Sequence, residues 1–335
     1  MKILAAALHF SALAAIVPVL SAQPLNLSSS FVNQVKNRAT LSIQFELDAH
    51  LTKPHPVERS GDDGDVHMAG RAPEVQLPMV VEIMNAGEKD QSASVKLMNG
   101  TPAGQTIAVT GAWRIWFEHP SQDEQTQGDS VEVPANSNPN HVFEIHPVTA
   151  FGGNDIGDSS LVPIEDPKNG HLYAAYSAGV AFGRYEKLEA TVEVSDTAVS
   201  ITSKQVGYNY TEFELEPAGK AQQTPDGFFV LANVYDTSDD ETPVTAAPRR
   251  MVFVAKTEPA KELLSLPPGG RMHVLGIPRV NLAEVAAVQP GKAVDLPLPY
   301  EMIVVAVLPD EESNVASTHA ASSHPAKPNG PGRKR

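Results

Sequence analysis

Between residues 41 and 47 the chain reads Leu-Ser-Ile-Gln-Phe-Glu-Leu, apolar at every second position, and that period predicts a strand with one buried face. Val66 to Gly70 and Met79 to Met84 predict two further strands, separated by the turn-like Arg71 to Pro78. Gln91 to Met98 has room for two helical turns before Asn99-Gly100 stops them. Ile107 to Phe117 predicts a long strand in which Gly111 marks a bulge or tight bend, and His141 to Val148 predicts the last strand of this unit. Asp48 to Gly64, with Pro54, Pro56 and clustered acids, and the polar span Pro120 to Pro139 read as loops.

The second half repeats this style. Glu189 to Ser195, Ala198 to Lys204, Tyr208 to Leu215, Phe228 to Tyr235 and Met251 to Ala255 are short, rich in Val, Tyr, Phe and Thr, and separated by turn residues. Pro259 to Leu266 predicts a short helix, and Arg271 to Ile277 and Val280 to Val285 follow it. Three strands, a helix and two strands is the order of an OB-type barrel, in which closure removes the sheet edges. An immunoglobulin-type sandwich has no reason to place a helix there. The fold class read from the pattern is therefore mainly β, two small OB-like barrels in tandem, each with a short helix. Duplication is suggested by Leu97 to Gly111 and Leu263 to Gly276, which both run helix end, Pro, Gly turn, alternating strand and Gly; coincidence between two β-rich stretches is the alternative.

The boundaries that follow are a leader at 1–22, an N-terminal arm or short helix at 23–40, a barrel at 41–151, a linker at 152–170, a second β domain at 171–310 and a disordered tail at 311–335. Lys2, the apolar run Ile3 to Leu20 and the small residues Ser21 and Ala22 predict a secretory signal peptide cut near Ala22, and so a periplasmic or secreted protein with no transmembrane span after cleavage.

Charge and composition narrow the function. The 335 residues carry a net charge of −15, which disfavours tight, sequence-independent nucleic-acid binding. There is no Cys, so disulfides, thiol redox chemistry, cysteine-ligated zinc and iron–sulfur clusters are excluded.

Potential ligands concentrate in the first unit: Asp62, Asp63, Asp65, His67, Glu82, Glu118, His119, His141, Glu144 and His146. Imidazoles with carboxylates suit zinc, iron or manganese. A calcium-hand loop is dismissed, because Pro73 stands where its twelfth-position Glu belongs. Period two puts Glu144 and His146 on one strand face. Each residue also has a plainer role: the Asp run as a self-capping turn, Glu82 as a buried hydrogen-bonding group, His146 as a ring locked at a strand end. Trp113 and Trp116, three apart on one strand, point to opposite faces, so one joins the core and Trp116 with Arg114 forms a ligand-binding platform.

In order, Asp63-Gly64-Asp65-Val66-His67, Met79 to Glu82, Val109-Thr110-Gly111, His119 and Glu144-Ile145-His146-Pro147-Val148 resemble a pattern in small exported bacterial proteins with an OB-like barrel. The resemblance covers about Leu41 to Phe151. It implies that Asp65, His67, Glu82, His119, Glu144 and His146 belong together, and it implies no reaction. A kinship of that group with the staphylococcal-nuclease barrel would ask for calcium-binding acids and two arginines on phosphate, and here only Arg114 and Arg71 are at hand.

Two functions are carried forward. One is an exported, non-catalytic binding or structural module of the cell envelope, with a small polar ligand or envelope component at Trp116 and Arg114. The other is a divalent-metal-dependent hydrolase of phosphoesters, with Asp63 or Asp65, His67, Glu82 and His146 on the ion, Glu144 or His119 as general base, and Arg114 steadying negative charge.

Overall fold

The computed structural model describes residues 23–55, 64–119, 123–161, 175–238 and 241–308. The predicted leader, the tail, Asp62, Asp63 and residues 162–170 of the predicted linker lie outside the described residues. The chain is mainly β. Its first half runs β1 (Gln23–Ser28), α1 (Ser29–Val35), β2 (Thr40–His50), β3 (Val66–Arg71), β4 (Met79–Ile83), α2 (Ser92–Gly100), β5 (Gln105–His119), the short β6 (Gln125–Thr126), β7 (His141–Phe151) and the short β8 (Asn154–Asp155). The rest is α3 (Gly157–Ser160), β9 (Tyr176–Ser177), α4 (Ala178–Tyr185), β10 (Glu189–Val194), β11 (Ala198–Ser203), β12 (Thr211–Pro217), β13 (Gln222–Thr224), β14 (Gly227–Tyr235), β15 (Arg249–Val254), α5 (Glu258–Ser265), β16 (Met272–Val280), α6 (Leu282–Val285), β17 (Val294–Pro297) and β18 (Tyr300–Val307).

Strands β12, β14, β15, β18 and β16 close into a five-stranded OB-like barrel: the sheet runs β13-β14-β15-β18-β16-β12-β9, and β12 also pairs with β14. Its third and last barrel strands, β15 and β18, are parallel, and α5 connects the third strand to the fourth. In the first half the order is β4-β3-β2-β5-β7-β8, and β4 pairs in parallel with β7. Strand β2 carries the alternation that predicted it, with Leu41, Ile43, Phe45 and Leu47 buried. Gly111 sits at register shifts in β5, as its bend requires, and a Cβ there would lie 2.4 Å from the Pro147 carbonyl oxygen.

Three expectations are corrected. The segment 23–40 contains a short helix, α1, one of its two readings, and is no free arm: Leu25 and Leu27 are buried, and β1 joins a separate sheet ordered β17-β10-β11-β1-β6. Strands β10 and β11 were read as part of the second barrel; β11 pairs instead with the N-terminal strand β1, and β10 pairs with β11 and β17 in the same separate sheet. Val280 to Val285 does not continue as strand, because Asn281 accepts hydrogen bonds from the Ala283 and Glu284 amides and starts α6.

The halves meet where β5 lies against β16. Arg114 Nε donates to Pro278 O (2.9 Å), and Arg279 Nη1 donates to Trp113 O (3.0 Å). Asp226, ahead of β14, accepts from the Thr40 amide and Arg38 Nε, both at 2.9 Å. These polar clasps fix the outer face of β5 and β7 against the second half.

Candidate metal centre

Strand register builds the site. On antiparallel β3 and β4, His67 stands opposite Glu82. In the parallel pair β4 and β7, Val80 stands opposite Glu144, so two residues further along the same face Glu82 comes beside His146. On β5 and β7, Arg114 stands opposite Glu144 and His119 opposite His141. Three ordinary ladders thus set histidines and carboxylates in a row on the outer face of the first unit.

The row begins at His55, whose Nδ1 is 3.0 Å from Asp65 Oδ1. Asp65 Oδ2 is 2.6 Å from His67 Nε2, which is 3.5 Å from Glu82 Oε1. Glu82 Oε2 lies 2.8 Å from His146 Nδ1, and His146 Nε2 lies 2.6 Å from the Tyr210 hydroxyl of the second half. His146 Nδ1 is 3.6 Å from Glu144 Oε2, and Glu144 Oε1 is 3.1 Å from His141 Nε2 and 4.0 Å from His119 Nε2. The interior members are buried; the end side chains are open, His55 at 43% and His119 at 32% exposure.

Among the described residues, three groups have one ligand atom per residue within 4.8 Å of one another and can hold a metal ion: His55, Asp65 and His67; Glu82, Glu144 and His146; His119, His141 and Glu144. The electrostatics differ along the row. Burial pushes the Asp65 carboxyl up, but bonds from His55 and His67 outweigh it and hold the group ionised well below the usual range. Burial likewise opposes ionisation of Glu144, and the Arg114 charge with bonds from His141 and His146 drives its pKa down. For His119, burial and then the neighbouring His141 lower the pKa.

The residues expected from the sequence fall as follows. Asp65, His67, Glu82 and His146 stand together, whereas Asp63 lies outside the described residues. Glu144 is a poor general base, because Arg114 Nη1 at 2.5 Å stabilises its ionised form. Arg114 is no free anion anchor: it is fully buried, and Glu144, Glu118 (2.8 Å) and Pro278 O take its donors. Trp116 is not a ligand platform. It is 1% exposed and meets Tyr185 edge-on at 5.6 Å, because the second half covers the outer face of β5. Sequence reasoning gave no role to His55, a lone histidine between two prolines; His141 was counted among the potential ligands without a specific role, and the strand register is what sets it opposite His119.

No protein-family model matches the sequence, and no curated protein matches it. Among solved structures, the chain is similar to one from a replication protein A heterotrimer bound to single-stranded DNA, at 8% identity and a TM-score of 0.19. The match covers 85% of this chain and 52% of the other, so the chain spans about half the length of that protein; a likeness this slight bears no argument. Among the described residues no helix is long and apolar enough to cross a membrane.

Proposed function

We propose that the protein binds one divalent transition-metal ion through His55, Asp65, His67 and Glu82, as an exported module of the cell envelope. The observation that carries this reading is the convergence of two buried carboxylates, Asp65 and Glu82, on one imidazole nitrogen, His67 Nε2. That nitrogen has at most one proton to offer, so it cannot hydrogen-bond fully to both acids. A dication balances both charges, and the donor set of two imidazoles and two carboxylates suits zinc or manganese. The separations of 2.6, 3.0 and 3.5 Å bracket the ~3.3 Å between ligand atoms around a tetrahedral zinc ion. Calorimetric titration of the purified full chain with Zn2+ and Mn2+ tests the reading. Saturable binding should weaken at least about tenfold in His67→Ala; undiminished binding in that variant, or none in the native chain, overturns it.

A second reading, metal-assisted hydrolysis of phosphoesters, is favoured by the open His55 side of this group, where a bound water or substrate oxygen has access. Its test is metal-dependent cleavage of bis(p-nitrophenyl) phosphate that disappears in His67→Ala.

The two halves are copies of one OB-type barrel. Supporting this are the shared strand order, the parallel third and last strands, and the repeated Gly111-Ala-Trp-Arg114 and Gly276-Ile-Pro-Arg279 positions. Each arginine pairs with a glutamate on the last strand, Glu144 or Glu301, and each donates to the carbonyl of the residue before the other arginine.

A further inference from the structure

The geometry points to a second metal ion, held by His119, His141 and Glu144 at the other end of the row, so that the protein carries two separate ions. This rests on the reading of the row as metal-binding, and it turns His119 and Glu144 from candidate bases into ligands.

Three independent features converge there. First, His141 Nδ1 donates to the Pro139 carbonyl at 2.7 Å, which fixes the ring and leaves Nε2 as the atom aimed at Glu144 Oε1, 3.1 Å away. Ligating histidines are commonly oriented in this way, by the ring N–H opposite the metal. Second, the His119 and His141 rings stack with centroids 4.7 Å apart and planes 19° from parallel, which brings His119 Nε2 to 4.0 Å from the same glutamate oxygen. Third, Arg114 occupies Glu144 Oε2, so the carboxylate is held with Oε1 turned to the two rings. His141 and Glu144 are buried, while His119 is part-exposed at the rim, which gives an ion an entry path and an open side.

Two imidazoles and one carboxylate with a free position form the ligand set of hydrolytic zinc and of non-haem iron(II) sites. The first group has the same architecture: an exposed histidine, a buried carboxylate and a buried histidine. Between Glu82, a ligand of the first ion, and Glu144, a ligand of the second, stands His146, so no residue is shared as a ligand of both ions.

The test is metal stoichiometry by elemental analysis after equilibration of the full chain with excess Zn2+ and removal of free ion. It compares native protein, His67→Ala and His119→Ala; the last is chosen because its side chain is part-exposed at the rim. Two equivalents are expected in the native chain and one in each variant. Co2+ substitution should give visible bands whose intensity drops by about half in His119→Ala. One equivalent in the native chain, lost in His67→Ala and kept in His119→Ala, overturns this inference and leaves the first site standing. One equivalent lost only in His119→Ala overturns the first site and upholds this one. No bound metal overturns both.

Discussion

Replacing Arg279 by Met should loosen the junction on which the row of histidines depends. Arg279 is fully buried; its Nε donates to Glu301 Oε1 at 2.6 Å, Nη1 to Trp113 O at 3.0 Å and Nη2 to Arg38 O at 3.1 Å, with the guanidinium 3.7 Å above the Trp113 ring. Methionine keeps an unbranched stem and removes every donor. The charge-assisted bond to Glu301 contributes roughly 1.5–3 kcal/mol, and an unsatisfied Trp113 carbonyl costs roughly 1 kcal/mol more. Two features temper the loss. Glu301 keeps Arg250 at 2.8 Å, and Arg38 O still accepts from Trp113 Nε1 at 2.8 Å. The expected loss is therefore about 3 kcal/mol, the low end for breaking a buried pair. In a chain of this size that lowers Tm by about 6 °C. Urea unfolding is the assay, with the midpoint falling and the slope unchanged. Arg279→Lys should recover only part of the loss, since one ammonium cannot span Glu301 and Trp113 O as a planar fork does. A loss below about 1 kcal/mol, or full recovery with lysine, would refute the claim that this clasp holds the halves together.

Four further outcomes are expected. Asp226→Asn should cost about 1–2 kcal/mol at pH 7, since the carboxylate receives the Thr40 amide and Arg38. Burial raises the Asp226 pKa, but those bonds and Thr224 lower it more; the contribution is therefore present above the unfolded value near 4 and lost as pH falls through the lower folded value, so native and variant should converge in urea unfolding at acid pH. Gly111→Ala should destabilise by roughly 1–3 kcal/mol and weaken Zn2+ binding, because the new methyl would press on Pro147 O beside His146; unchanged melting and titration curves would contradict this. Tryptophan emission should resist quenching by acrylamide and stay flat on adding oligosaccharides, because both Trp113 and Trp116 are buried; an oligosaccharide-dependent change would restore a platform role. N-terminal sequencing of protein exported from a bacterial host should begin at Gln23, and retention of residues 1–22 would remove the leader reading.

Local period and punctuation are properties of the chain itself, which is why β2, β4 and the bend at Gly111 could be read directly from residue order. Grouping Asp65, His67, Glu82 and His146 was also within reach, through the ordered motifs of the resemblance; His67, Glu82 and His146 lie on strands, and Asp65 immediately precedes β3. Pairing between distant segments leaves no such trace. Two leucines in β1 say that one face is buried, and only the folded chain says that β11 lies beside it. His55 carried no period, being brought to Asp65 by the return of its loop. Trp116 and Arg114 were read as outward and therefore free, which holds for a lone barrel. Here the second half packs on that face, so outward from the first unit became interior between the two halves, and burial followed from an interface that no stretch of sequence encodes locally.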